Sequence, residues 1–263
     1  MTDCKILIIE DHAEIRDLLR VCLEAEYSVV EAADGREGWA IAVSELPDLI
    51  ITDVMMPEMD GNDLCRNLKA DERTSHIPVI MLTAKVGEEQ QVEGLECGAD
   101  IYLTKPFSVQ VLRSYIKNLL KARELHRALY SQKVFLEPSG VEVGSVDKKF
   151  MERLMSIAEA HLGDPDFNVS GLAREIGMSK AVLYKKFFAL VHMPVGEFIK
   201  SLRLKKAALL LTHDRMNISE VAWEVGFSDR KYFSKEFKKF FGKTPSEYVG
   251  APPTGAGGEE TDE

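Results

Sequence analysis

The sequence predicts an α/β doubly wound domain built on a five-stranded parallel sheet, followed by an all-α domain with two helix-turn-helix units. Three observations predict it. Short β-branched apolar runs alternate with helical patterns through the first half, one residue pattern occurs twice in the second half, and the charge changes sign between the halves. Residues 1–120 hold 23 acidic and 11 basic side chains, whereas residues 151–250 hold 12 acidic and 16 basic. The net charge of −10 therefore averages an acidic front and a basic back, which implies different partners for each. A chain of 263 residues exceeds what one core ordinarily serves, and 45% hydrophobic content suffices for two.

Residues 5–10 (KILIIE) read as a strand, and Ile15, Leu18, Leu19 and Cys22 follow at helical spacing. The alternation continues with a strand at 28–31 and a helix around 37–44, then a strand at 48–53 and a helix around 62–70. A strand at 77–83 has a helix after it, and a strand at 101–103 precedes a last helix from 108 to about 121. Strands this apolar must be covered on both faces, and ligands of such sheets collect beyond the carboxyl ends of the strands. There the sequence places Glu10 and Asp11 after the first strand, Asp53 after the third, Thr83 after the fourth and Lys105 after the fifth. Carboxylates held close together repel unless one takes up a proton or a hard divalent cation such as Mg²⁺ neutralises them. Lys105 adds a fixed positive charge and Thr83 a hydroxyl donor, which suits the oxygens of an incoming phosphoryl group. Asp53 is then the nucleophile.

Residues 3 to about 120 resemble the receiver domain of two-component response regulators. The resemblance is carried by Glu10 with Asp11, the segment DVMMPEMDG from Asp53 to Gly61, Thr83 with Ala84, and Lys105 with Pro106. It implies a flavodoxin-like fold in which Asp53 is the phosphoacceptor for a histidine kinase. Asp11, Asp53 and the Met55 carbonyl would bind Mg²⁺, with Glu10 acting through water, and Lys105 would pair with the phosphoryl group. Thr83 and Tyr102 would form the switch pair that reports phosphorylation, and phosphorylated receivers would pair as a homodimer.

Residues 121–129 extend the last helix with charge on most faces, and from 132 to 146 the pattern breaks around Pro138, Gly140 and Gly144. A new helical rhythm starts at Val146, with Asp147 as N-cap and Phe150, Leu154, Ile157 and Ala158 on one face. The expected division is a receiver at 1–121, a linker at 122–145 and a helical domain at 146–249. The Gly, Pro, Thr and acidic residues of 250–263 offer nothing to bury and read as a disordered tail.

In the second half, LAREIGMS at 172–179 and VAWEVGFS at 221–228 share one grammar 49 residues apart. Leu183, Tyr184, Lys186 and Phe188 return as Tyr232, Phe233, Lys235 and Phe237. Each copy reads as a short helix ended by a Gly suited to the left-handed turn, then a second helix capped by Ser179 or Ser228. Residues 198–211 form the helix that joins the copies. The second helices carry Lys180, Lys185 and Lys186 in the first copy and Arg230, Lys231, Lys235, Lys238 and Lys239 in the second. A basic helix after a tight turn is suited to the major groove of double-stranded DNA.

Residues 147–249 also resemble the AraC-type DNA-binding domain. The second unit matches better, through Gly226-Phe227-Ser228 and the ending from Phe241 to Tyr248, whereas Val191 stands where the first unit would have the counterpart of Gly242. By position on the recognition helices, Ala181, Tyr184, Lys185, Arg230, Lys231, Ser234 and Lys235 would face bases. Ser179, Lys180, Lys200, Arg203 and Lys239 would contact phosphates. The order of domains, with SVDKKF at 145–150 leading in, is similar to the end of hybrid two-component proteins. A longer, membrane-tethered sensor is therefore one expected context for a segment that itself reads as cytoplasmic.

Four cysteines, Cys4, Cys22, Cys65 and Cys97, lack metal-ligand spacing and read as reduced core thiols. No apolar run reaches the roughly 18 residues that span a bilayer. An aspartate-nucleophile phosphatase would need a second Asp two positions after Asp53, where Met55 stands, so a non-enzymatic regulator is expected. A DNA-binding protein whose receiver only dimerises is the remaining alternative, and the full phosphoacceptor set argues against it.

Overall fold

In the computed structural model, which describes residues 4–84, 97–136, 145–213 and 216–249, the expected strands pair in one sheet. They are β1 (Lys5–Ile9), β2 (Ser28–Ala32), β3 (Leu49–Asp53), β4 (Val79–Thr83) and β5 (Ile101–Thr104), all parallel, in the order β2-β1-β3-β4-β5. β1, β3 and β4 are buried along nearly their whole length, while the edge strands β2 and β5 are only partly buried. Leu7 and Ile9 enter one core with Ile50, Leu64 and Val79, while Ile6 and Ile8 enter the other with Leu19, Ile51 and Leu112. The two-residue period of the strand divides neighbours between the faces, and helices seal both sides.

Those helices are α1 (Ala13–Leu23), α2 (Gly35–Glu45), α3 (Gly61–Ala70) and α4 (Val109–Leu136). Asp34 and Asp60 cap α2 and α3, each accepting from backbone N–H groups of the first turn. Gly61 opens α3 because the backbone of β3 runs against it: a Cβ there would sit 2.2 Å from the Asp53 carbonyl oxygen. This close approach explains the Pro-x-x-Asp-Gly turn. The helix expected after β4 and the tail from residue 250 lie outside the described residues. α4 runs on to Leu136, past the break expected at residue 132, so the residue 121 boundary falls within a continuous helix.

The remaining helices are α5 (Ser145–Ala160), α6 (Val169–Ile176), α7 (Lys180–Val191), α8 (Val195–His213), α9 (Ile218–Glu224), α10 (Arg230–Phe241) and α11 (Pro245–Val249). The chain divides into two compact units, Met1–Glu152 with Ala181–His192, and Arg153–Lys180 with Met193–Glu263. In the first unit, Lys186 of α7 is fully buried, its Nζ 2.6 Å from Asp147 Oδ1 and 4.7 Å from the centre of the Phe150 ring. Asp147 is therefore not the N-cap of α5, which begins at Ser145, and Lys186 is not part of an exposed basic face. Burial lowers the Lys186 pKa, and the Asp147 charge opposes that shift.

In the second unit, Leu204, Ala207 and Leu211 of α8 pack with Val221 and Ala222 of α9 and with Phe233 and Phe237 of α10. Asn217 and Glu220 form a reciprocal capping box on α9. Gly226 turns the chain at φ 78°, and a Cβ there would lie 2.5 Å from the Leu162 carbonyl oxygen. The cap of α10 is Asp229, whose carboxylate accepts from the Tyr232 N–H, not Ser228 as expected. The helix starts one residue later than Ser228 would require, and an ionised oxygen also suits the positive end of the helix dipole.

Candidate functional site

β1 and β3 are adjacent but were laid down by crossovers in opposite directions, so their carboxyl ends border the crevice where ligands of this topology bind. Glu10 follows β1, Asp53 ends β3, Thr83 ends β4 and Lys105 follows β5. Glu10 is fully buried, and Asp53 and Thr83 are nearly so. Lys105 Nζ lies 2.8 Å from Glu10 Oε2 and 3.0 Å from Asp53 Oδ2, so one ammonium bridges two carboxylates from different strands. Asp53 Oδ1 accepts from the Val54 N–H at 2.8 Å, which fixes the rotation of the carboxylate and leaves Oδ2 toward Lys105.

Burial raises the Glu10 pKa, with the Asp53 charge adding to it and the Lys105 hydrogen bond opposing it. Burial also disfavours the Lys105 ammonium, but its hydrogen bonds to Glu10 and Asp53 together outweigh that cost and raise its pKa. Glu10, Asp11 and His12 bring their donor atoms within 4.8 Å of one another. The Glu10 Oε1 atom is buried without a hydrogen-bond partner. An orphaned carboxylate oxygen among oxygen donors is what a hard divalent cation satisfies, so the residues present fit Mg²⁺. Met55 has an exposed side chain, which leaves its carbonyl as the group of interest at that position.

Tyr102 is half-buried, and its hydroxyl donates to Asn62 Oδ1 of α3 at 2.7 Å. His12, which the sequence reading passed over, donates or accepts at Nδ1 with Asp11 Oδ1, 2.9 Å away. That hydrogen bond, with the Asp11 charge, raises the His12 pKa. Its only sequence signal was its place directly after Glu10 and Asp11.

Two further candidate surfaces are α7, assigned chiefly to the first unit, and α10 of the second. Ala181, Tyr184 and Lys185 are exposed at helical spacing on α7, and Ser179 and Lys180 are exposed beside its first turn. On α10, Arg230, Lys231, Lys235 and Lys239 are exposed and Ser234 is half-buried, while Phe233 and Phe237 fill the core. Two expected phosphate contacts are placed otherwise. Lys200 pairs with Glu197 at 2.8 Å and Glu236 at 2.7 Å. Arg203 donates through Nη2 to the carbonyls of Asp164 and Phe167 at 2.6 and 3.1 Å, and burial lowers its pKa. Both cations are engaged within the second unit, Lys200 by two carboxylates and Arg203 by backbone carbonyls.

The family profile described as "Response regulator receiver domain" matches residues 6–117, and that described as "Helix-turn-helix domain" matches residues 172–251. "Histidine kinase P4" of Formosa agariphila is 41% identical over 243 residues, which cover 92% of this chain and 18% of that protein. "DNA-binding dual master transcriptional regulator RpaA" of Synechocystis is 47% identical over 118 residues, 44% of this chain and 49% of that one. "Phosphate regulon transcriptional regulatory protein PhoB" of Pseudomonas aeruginosa is 47% identical over 117 residues, 44% and 51% of the two chains. The chain thus spans about half the length of these two regulators and less than a fifth of the kinase. The chain thus carries a response regulator receiver domain followed by a helix-turn-helix domain.

Proposed function

We propose that this chain is a phosphorylation-dependent regulator of transcription. Asp53 takes a phosphoryl group from the phosphohistidine of a kinase, and its phosphorylation state controls sequence-specific binding of double-stranded DNA by the two helix-turn-helix units. The observation that carries this reading is the Lys105 ammonium bridging buried Glu10 and Asp53 at the crevice of the sheet. In the transfer, an Asp53 carboxylate oxygen bonds to phosphorus as the phosphorus–nitrogen bond of phosphohistidine breaks, and the imidazole leaves with the electron pair. Lys105 then exchanges a carboxylate partner for a phosphoryl oxygen. Asp11, Asp53 and the Met55 carbonyl would hold Mg²⁺, with Glu10 reaching it through water. When bound, that ion supplies positive charge for the phosphoryl oxygens.

Thr83 and Tyr102 act as the switch pair in this account. For Tyr102, the change is a move of its hydroxyl away from Asn62. The division of labour follows residues 1–121 as receiver, 122–145 as linker and 146–249 as DNA reader. Phosphorylated receivers pair as homodimers. The chain acts in the cytoplasm, either freely or as part of a longer tethered sensor, and it is not itself an enzyme. The stretch matching Histidine kinase P4 lies within a much longer chain, which supports a kinase as the phosphoryl source. Among the described residues, no helix is long and apolar enough to cross a membrane.

The test is incorporation of label from a small phosphodonor in the presence of Mg²⁺, compared between the wild type and Asp53→Asn. The amide is nearly isosteric but cannot attack phosphorus, so label is lost while the fold stays intact. Equal label in the two proteins sinks the assignment.

A further inference from the structure

We infer that Cys65 and Cys97 are a peroxide-reactive pair that closes to a disulfide and so ties α3 to the chain entering β5. Its effect on the switch rests on the role proposed above for Tyr102, whereas the bond itself does not. Of the four cysteines, Cys4 and Cys22 are half-buried, and Cys65 and Cys97 are buried. The latter two are 32 residues apart in sequence, yet Cys65 Sγ donates to the Cys97 carbonyl at 3.4 Å. The two thiols also share a side-chain hydrogen bond. Cys97 Sγ in turn donates to Met81 Sδ of β4 at 3.6 Å, so three sulfur atoms meet in the core on one face of the sheet.

Their surroundings make the two sulfurs unequal. The hydrogen bond with Cys65 pulls the Cys97 thiol down to about 7 against the effect of burial, and a backbone hydrogen bond from Ala99 and the Arg66 charge act the same way. The same thiol contact, with burial, holds the Cys65 thiol up. Cys97 is thus the attacking sulfur and Cys65 the resolving one. Cys97 also stands one residue from exposed Gly98, which gives a small oxidant a short route to it, whereas Cys65 is completely buried. In the first step the Cys97 thiolate attacks one oxygen of hydrogen peroxide and the oxygen–oxygen bond breaks. The leaving hydroxide takes up the proton that Cys97 had lost, giving water and a sulfenic acid. The Cys65 sulfur then attacks Cys97 Sγ, the sulfur–oxygen bond breaks, and hydroxide leaves with the Cys65 proton as a second water. The two sulfurs together lose two electrons, and the peroxide gains them.

Position on α3 gives the bond its consequence. Asn62, which accepts from the Tyr102 hydroxyl at 2.7 Å, precedes Cys65 by three residues, so both stand on one face of the helix. One of these ties is a hydrogen bond that can open, and the other becomes covalent on oxidation. A disulfide there holds α3 beside the residues that lead into β5 and opposes the departure of Tyr102 from Asn62. In a reducing compartment such a bond is transient, which suits a sensor and not a permanent brace.

The experiment treats the folded full chain with hydrogen peroxide, blocks the remaining thiols with iodoacetamide in urea, and maps peptides by mass spectrometry without reductant. The expected product is a peptide that links Cys65 to Cys97, lighter than the reduced pair by two hydrogen atoms and lost on adding dithiothreitol. Cys65→Ser should leave Cys97 as a sulfenic acid that dimedone tags, and Cys97→Ser should leave Cys65 unoxidised. Oxidation confined to Cys4 or Cys22, or recovery of both Cys65 and Cys97 in alkylated form, overturns the pair. Hydrogen exchange of β5 on adding phosphodonor and Mg²⁺ is followed in the reduced and the oxidised chain. The change seen in the reduced chain should be largely lost on oxidation and return with dithiothreitol. An equal change in both overturns the link to Tyr102, whereas no change in the reduced chain means that the switch reading of Tyr102 itself fails.

Discussion

Glu10 concentrates the electrostatic cost of the acidic pocket, because it is fully buried and faces Asp53 across the Lys105 ammonium. Its folded pKa lies above the usual carboxylate value. The ionised form is therefore disfavoured by folding, and the penalty is present above the folded pKa and vanishes below the unfolded one. Glu10→Gln is expected to raise the melting temperature of the metal-free protein at pH 7 to 8. The gain should shrink as the pH falls through the ordinary carboxylate range, and a gain that grows on acidification would contradict the assignment. Lys105→Ala should retain Mg²⁺ binding by calorimetry but respond poorly to phosphodonor, since it removes the charge aimed at the phosphoryl group and no metal ligand. Glu10, Asp53, Thr83 and Lys105 were legible in the sequence because each closes an apolar run whose length fixes where the strand ends. His12 was not, since a third polar residue after a strand is ordinarily a turn residue.

Helices show where reading by pattern works and where it stops. The repeated Gly-apolar-Ser turn located both helix-turn-helix units, because a left-handed residue followed by a capped helix leaves a local signature. The partners of the basic residues left none. Lys186 meets Asp147 on a helix 39 residues earlier, and Lys200 meets Glu236 on a helix 36 residues later. Helical periodicity describes one face of one helix, so it could not tell these cations from Lys185 or Lys235, which are exposed. Lys186→Met should destabilise the fold by about 3–5 kcal/mol, because it strands a buried carboxylate, and adding Asp147→Leu should restore most of the loss. Urea denaturation checks both, and a double variant no better than the single one would contradict the pairing. On α10, Arg230→Ala should cost about 1–3 kcal/mol and relax base preference, whereas Lys239→Ala should weaken all sequences alike and lower the salt slope by about one. Lys200→Ala should reduce stability and leave that slope unchanged. A salt titration of DNA binding separates the three.

At the scale of the whole molecule, the acidic first half and the basic second half would, on the proposed reading, divide the work of receiving a phosphoryl group and binding DNA. α8, which joins the two copies along the chain, has 19 residues and spans about 28 Å. Only a handful of the basic residues are exposed near the recognition helices, so one chain on one site should bind weakly and with a modest salt dependence. On the proposed reading, pairing of receivers would join two weak DNA readers, and the second would bind at a raised effective concentration. The measurement that tests this most directly is a titration of the full chain on one half-site and on two direct repeats, with and without phosphodonor, in the wild type and in Asp53→Asn. The account predicts that phosphodonor tightens wild-type binding on the repeats far more than on the half-site, and has no effect on Asp53→Asn. Tightening that is equal on both DNAs would contradict receiver pairing, and tightening that persists in Asp53→Asn would contradict control through Asp53.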